Sequence, residues 1–247
     1  MAVRLQTCAT RGGRQSDRSA RCEGVTCRAI GLSSRFLRQQ LITLSFERVD
    51  DFTSGEFSEN LARVDSLIAA AQRLQADGAG GEELHRDVLR AATVFLHSTI
   101  EEIVRNLFLT RLPYSTPDRL NKIPLASHES THRPKPIQLG DLAAFRGRFV
   151  ENVIIESINR FVDTLNINNS DQLVQCLELA DLKIDPVRPF LANVDLLMKR
   201  RHQIVHQMDR AGEDKLVAPI NDIDEATVQT WRWSVQGFFE AILAMPE

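Results

Sequence analysis

From Leu89 to Leu107 the apolar residues Leu89, Ala92, Leu96, Ile100, Ile103 and Leu107 return at steps of three and four. That period lines one face of an α-helix and cannot line one face of a strand, where side chains alternate. Similar runs recur in Phe57, Leu61, Val64, Ile68 and Ala71, and in Val228, Trp231, Val235, Phe238 and Ile242. A looser run joins Leu142, Phe145, Phe149, Val153, Ile158, Val162 and Leu165. No segment sustains a period of two, and no internal repeat is visible. The expectation is an all-α fold: an up-and-down helical bundle of about five to six helices with mostly antiparallel neighbours.

Breakers set the expected boundaries. A first helix begins near residue 56 and stops at Asp77-Gly78-Ala79-Gly80-Gly81, and a second covers about 83–110. Five prolines, from Pro113 to Pro136, then mark a polar segment running to about 140, too long for a plain connector. A third helix is expected over about 141–166, and a short fourth, capped by Ser170, runs to about 181. Pro186 suits the first turn of a fifth, about 186–208. Gly212 marks a loop, and Asn221 or Asp222 caps a last helix over about 223–244.

Charge separates the ends of the chain. Residues 1–38 hold eight Arg against Asp17 and Glu23, a net +6, so residues 39–247 carry −9 of the total of −3. Residues 1–45 read as a basic, disordered tail, rich in Arg, Ser and Gly and without apolar period, and residues 46–247 as the helical domain. The tail also resembles an organelle transit peptide in its Arg content. A body of negative sign is not a bulk nucleic-acid binder, so any contact with RNA has to be local. No apolar run is long enough for a membrane span, and no signal-peptide h-region is present. Of four cysteines, Cys8, Cys22 and Cys27 lie in the tail and Cys176 stands alone. That pattern argues against a disulfide framework or zinc ribbon and for a reduced, cytoplasmic setting.

The fifth helix carries the chemistry. Its apolar stripe runs Val187, Leu191, Val194, Met198, then Val205 and Met208, and the missing member is Arg201. A guanidinium on a core face needs an anionic partner: a carboxylate of this chain or a phosphate of a ligand. Arginine suits either, being permanently charged and bidentate.

Residues 201–206 read Arg-His-Gln-Ile-Val-His. This stretch resembles the Arg-x4-His signature of the HEPN superfamily of all-α ribonucleases and RNA-binding modules. Lys199 to His206 is most similar to the RiboL-PSP-HEPN subgroup. The resemblance covers roughly residues 56–245, including Leu96-His97-Ser98-Thr99-Ile100-Glu101-Glu102-Ile103 and the terminal pair Phe238-Phe239. It implies a metal-independent endoribonuclease without cofactor, leaving 2′,3′-cyclic phosphate ends, with two motifs meeting across a homodimer. RNA supplies its own nucleophile, the ribose 2′-hydroxyl. A histidine can take or give protons near neutral pH, and an arginine can stabilise phosphorane charge. His206 is then base or acid and Arg201 the phosphate ligand. Glu101, beside the interior face of its helix, is the candidate to hold Arg201 or orient His206. Lys199, Arg200 and His202 are candidate RNA contacts.

Other readings have less behind them. His202 and His206 have the spacing of a zinc-protease helix, but Gln203 stands where that chemistry needs Glu. Segment 111–148, with seven Lys or Arg and His128 and His132, reads as a polar loop or an RNA-contacting flap. The alternative class is a non-catalytic HEPN module that binds RNA or scaffolds a partner protein. An antitoxin or RNA-repair protein is the kind of partner expected.

Overall fold

The computed structural model describes residues 34–76, 81–126, 139–210 and 218–245, with side chains from residue 55. The chain divides into two units, residues 1–40 and 41–247. Among the described residues seven α-helices follow in order: α1 Ser34–Ala76, α2 Glu82–Arg111, α3 Pro117–Leu120, α4 Val150–Asp163, α5 Ser170–Leu179, α6 Arg188–Gln207 and α7 Glu225–Leu243. Tight 3₁₀ turns occupy Leu112–Tyr114 and Leu139–Phe145. There is no strand among the described residues, only an isolated bridge between Arg210 and Ile220. The fold is all-α, and no described helix is long and apolar enough to cross a membrane.

The helix α2 is the centre of the second unit. It packs against α4, α6 and α7. Its buried residues include His85, Thr93, His97 and Val104 as well as the expected stripe as far as Ile103; beyond it Phe108 is buried and Leu107 only partly so. Surrounded on several sides, it buries more than one face, so a single stripe understates what lies inside. Val64, Leu89, Leu96, Ile100, Phe108, Leu173, Val194, Leu197, Val235 and Phe238 all belong to one continuous core. At the crossing of α6 and α7 a glycine is required for space. A Cβ on Gly237 would lie 2.4 Å from the ring of Phe190.

Several expected boundaries move, each for a local reason. The first helix begins at Ser34, well ahead of the apolar periodicity that starts at Phe57. The expected tail falls up to residue 33 outside the described residues, and α1 overlaps the rest. The third expected helix splits: Leu139–Phe145 forms a 3₁₀ turn and α4 starts only at Val150. Gly147, at φ 77°, turns the chain between them. Phe149 is consequently exposed rather than buried, and Leu142 is exposed too. Asn169, not Ser170, caps α5, accepting from the Gln172 N–H, while the Ser170 hydroxyl donates to Asp195. Pro189, not Pro186, occupies the first turn of α6. Asp224, rather than Asn221 or Asp222, caps α7 through the Thr227 N–H, and that bond holds its carboxyl below the usual range. Gly212 lies outside the described residues.

Candidate active site

The helix α6 enters the core through Val194, Leu197 and Met198, then leaves it. Arg201 stands at that exit, half-buried. The stripe expected to continue inward does not: Val205 is 45% exposed and Met208 75% exposed. The last turn of α6 therefore projects beyond the core and carries its two histidines into solvent. His202 and His206, one turn apart, both lie exposed with ring centroids 4.7 Å apart and planes at 47°.

Of the two anionic partners expected for Arg201, a carboxylate of this chain or a ligand phosphate, the first is not found among the described residues. Among the described residues its guanidinium forms no ion pair with Glu101 or any other carboxylate, and its Nε is buried without a hydrogen-bond partner. Glu101 instead faces His97 on its own helix, with Oε2 3.8 Å from Nδ1. His97 is almost fully buried, and its Nε2–H donates to the Ile167 carbonyl at 3.0 Å. Its Nδ1 has no hydrogen-bond partner. Burial pushes the His97 pKa below the ordinary histidine value; Glu101 and the Ile167 bond oppose this, and the Arg201 charge adds to it. Arg201, Glu101 and His97 thus form one electrostatic group linking α2, α6 and the turn before α5.

Lys199 and Arg200 separate sharply. Lys199 is exposed and pairs with Asp195 one turn earlier at 2.6 Å, which holds the Asp195 carboxyl below its usual range. Arg200 turns into the fold. It donates to Asp209 Oδ2 at 2.9 Å and to the carbonyls of Asn221 and Asp222. Arg90 of α2 donates to the same oxygen at 2.7 Å and to the Asn221 carbonyl. Asp209 is only 1% exposed, and its own carbonyl accepts from the Asn221 N–H at 2.7 Å. Two arginines on one buried carboxylate fasten the end of α6 to α2. The chain reaches that position through Met208 and Asp209, both left-handed at φ 53° and 56°. That strain costs about 1–3 kcal/mol per residue and is offset by the ion pairs it permits.

Neither Asp209 nor His97 stood out as a functional residue in the sequence. The available signal for His97 was its spacing from Thr93 and Val104, the second inner face of α2. For Asp209 there was only a charged residue just past a helix end.

The segment 111–148 contributes little to this site. Its residues 127–138, with His128 and His132, lie outside the described residues. Arg119 pairs with Asp181, and Arg148 with Glu156 at 2.6 Å, which lowers the Glu156 pKa. The described ends line a cavity of about 400 Å³ with walls that include Leu120, Ile123, Phe145 and Ile158, none of them on α6.

An all-α domain whose next-to-last long helix carries Arg201 at the core boundary and exposed His202 and His206 has the frame of a HEPN domain. The RiboL-PSP-HEPN family model matches residues 58–243. The chain belongs to that family. No curated protein and no solved structure gave a significant match.

Proposed function

We propose that this protein is a metal-independent endoribonuclease acting in the cytoplasm. The observation that carries the reading is Arg201: a half-buried guanidinium, five residues before His206 on the same helix, with which no described carboxylate forms an ion pair. A permanent cation of this kind is available to an RNA phosphate and can hold the charge that grows on it. An imidazole takes the proton from the 2′-hydroxyl. The 2′-oxygen attacks phosphorus, the bond to the 5′-oxygen breaks, and that oxygen leaves with a proton from a second imidazole. The products are a 2′,3′-cyclic phosphate and a 5′-hydroxyl. His206 is one of the two proton carriers, and His202, at 4.7 Å between centroids, assists it. A two-fold dimer would bring a second motif to the same phosphate. RNA processing, a toxin-like system with a cognate antitoxin, and antiviral defence are the settings such an activity fits.

A second reading, a HEPN module that binds RNA or a partner protein without cutting, draws on the −9 charge of residues 39–247. Incubating the purified protein with single-stranded and structured RNA in a chelator separates the two. Fragments ending in 2′,3′-cyclic phosphate, lost on Arg201→Gln, support the enzyme. Intact RNA retained in a complex supports the binding module.

A further inference from the structure

His202 and His206 lie across one turn of α6, both exposed, with ring centroids 4.7 Å apart. Zinc takes imidazole nitrogens at about 2.0–2.1 Å, so two nitrogens on one ion lie roughly 3–3.5 Å apart. Rings whose centroids stand 4.7 Å apart reach that spacing when their nitrogens turn toward each other. The backbone beneath them is anchored. Arg90 and Arg200 bond Asp209 at 2.7 and 2.9 Å, and the Asp209 N–H donates to the Gln203 carbonyl at 3.0 Å. Chelation at this place orders two side chains and no backbone. Of the cations nearby, Lys199 and Arg200 are paired with Asp195 and Asp209. Arg201 opposes a bound cation, and the negative end of the helix dipole favours one, since His206 lies in the last turn. Gln203 removes the general base that a zinc hydrolase needs and takes nothing from the ligands. Among the described residues no third His, Cys, Asp or Glu completes a larger set, which leaves the remaining positions to water.

We propose that His202 and His206 together bind one divalent transition-metal ion of the zinc class, and that the bound ion switches the ribonuclease off. Imidazole suits Zn²⁺, Ni²⁺ and Cu²⁺, whereas Mg²⁺ and Ca²⁺ prefer oxygen ligands. Two waters leave the hydrated ion, and one neutral nitrogen of each ring donates its lone pair in their place. A nitrogen engaged in this way can neither accept the 2′-hydroxyl proton nor carry one to the 5′-oxygen. The ion is an inhibitor of the site and not its cofactor. Binding follows from the two rings alone. Inhibition rests on the reading of His206 as a proton carrier.

Long-range ¹H–¹⁵N spectra of the full chain report the two rings, each assigned by its loss in His202→Gln or His206→Gln. Zinc chloride is the probe, and reading the rings one by one keeps zinc on cysteine thiols out of the measurement. In the wild-type protein both rings should shift together at a single zinc midpoint, and magnesium at the same concentrations should move neither. In His202→Gln the His206 ring should need at least about tenfold more zinc, because no second ligand is held beside it. Cleavage of single-stranded RNA by the wild-type protein should fall at the same zinc midpoint and recover in excess chelator. Rings that shift at different midpoints, a His206 midpoint unchanged in His202→Gln, or an equal response to magnesium overturns the shared site. Full cleavage at a zinc concentration that saturates both rings overturns the inhibition. A protein that cuts no RNA counts against the ribonuclease reading alone, and the spectra still decide the metal site.

Discussion

Arg201 and His206 sit five residues apart on α6 in sharply different surroundings, and substitution should separate them from the fold. His206 is exposed, so His206→Ala opens no cavity. RNA cleavage should fall by about 10²–10⁴-fold, the usual contribution of a general acid or base, with an unchanged circular-dichroism spectrum and melting temperature. Arg201→Ala should also abolish cleavage. Because Arg201 has no ion pair with Glu101, its loss strands no salt-bridged carboxylate. Its cost to stability should stay within about 1 kcal/mol, well short of the ~3–5 kcal/mol expected on breaking a buried pair. Urea unfolding measures this, and a large loss would mean that Arg201 has a partner inside the fold.

His97 predicts a pH effect at the same scale. Its folded pKa lies below the unfolded value of 6.5, chiefly because burial disfavours the charged ring. As the pH falls below 6.5 the unfolded chain binds this proton before the folded chain does. Stability is therefore present above that value and lost as the pH drops through the folded pKa. His97→Gln, which keeps a donor for Ile167, should flatten this part of the melting-temperature profile. Cys176 shows the same physics in a thiol. Burial pushes it up to about 11, so alkylation at pH 8 should be slow until the chain unfolds.

Two contacts hold the elements that present the motif. The Arg90–Asp209–Arg200 cluster fastens the end of α6, and Asp209→Ala leaves Arg200 without its carboxylate and Arg90 with only the exposed Asp87. The expected loss is about 2–4 kcal/mol in urea, below the value for a fully buried pair because both arginines keep some water. Where α6 crosses α7, Gly237→Ala sets a methyl into the Phe190 ring, and overpacking of this kind costs about 1–3 kcal/mol. Neither contact was legible in the sequence, for a shared reason. Helix periodicity reports which face turns inward, not which distant residues meet there. It located the body of α2, α6 and α7, whose stripes pack on one core. It failed at Leu142 and Phe149, where a 3₁₀ turn ended the period, and at Val205 and Met208, where the helix outran the core. The motif itself was legible because its six residues are contiguous. The setting of His97 was not, because it depends on Ile167 and Arg201 from other parts of the chain.

For the whole molecule the open apolar surface beside the motif matters most. Val205 and Met208 stand exposed next to His206, as a two-fold contact between copies of α6 would require. In such a homodimer one chain carrying Arg201→Ala and another carrying His206→Ala should recover part of the cleavage when mixed. A monomer by light scattering that cuts at full rate would exclude a composite site.

The chemistry itself is open to one substitution in the substrate. Once a cleaved linkage has been mapped in chelator, the same RNA is made with a single 2′-deoxynucleotide on the 5′ side of that linkage. Attack by the 2′-hydroxyl requires that cleavage at this linkage stop while other linkages are still cut, with Arg201→Gln inactive on both RNAs. Continued cleavage at the deoxy position would show that the nucleophile is not the ribose, and the roles of Arg201 as phosphate ligand and His206 as proton carrier would fall with it.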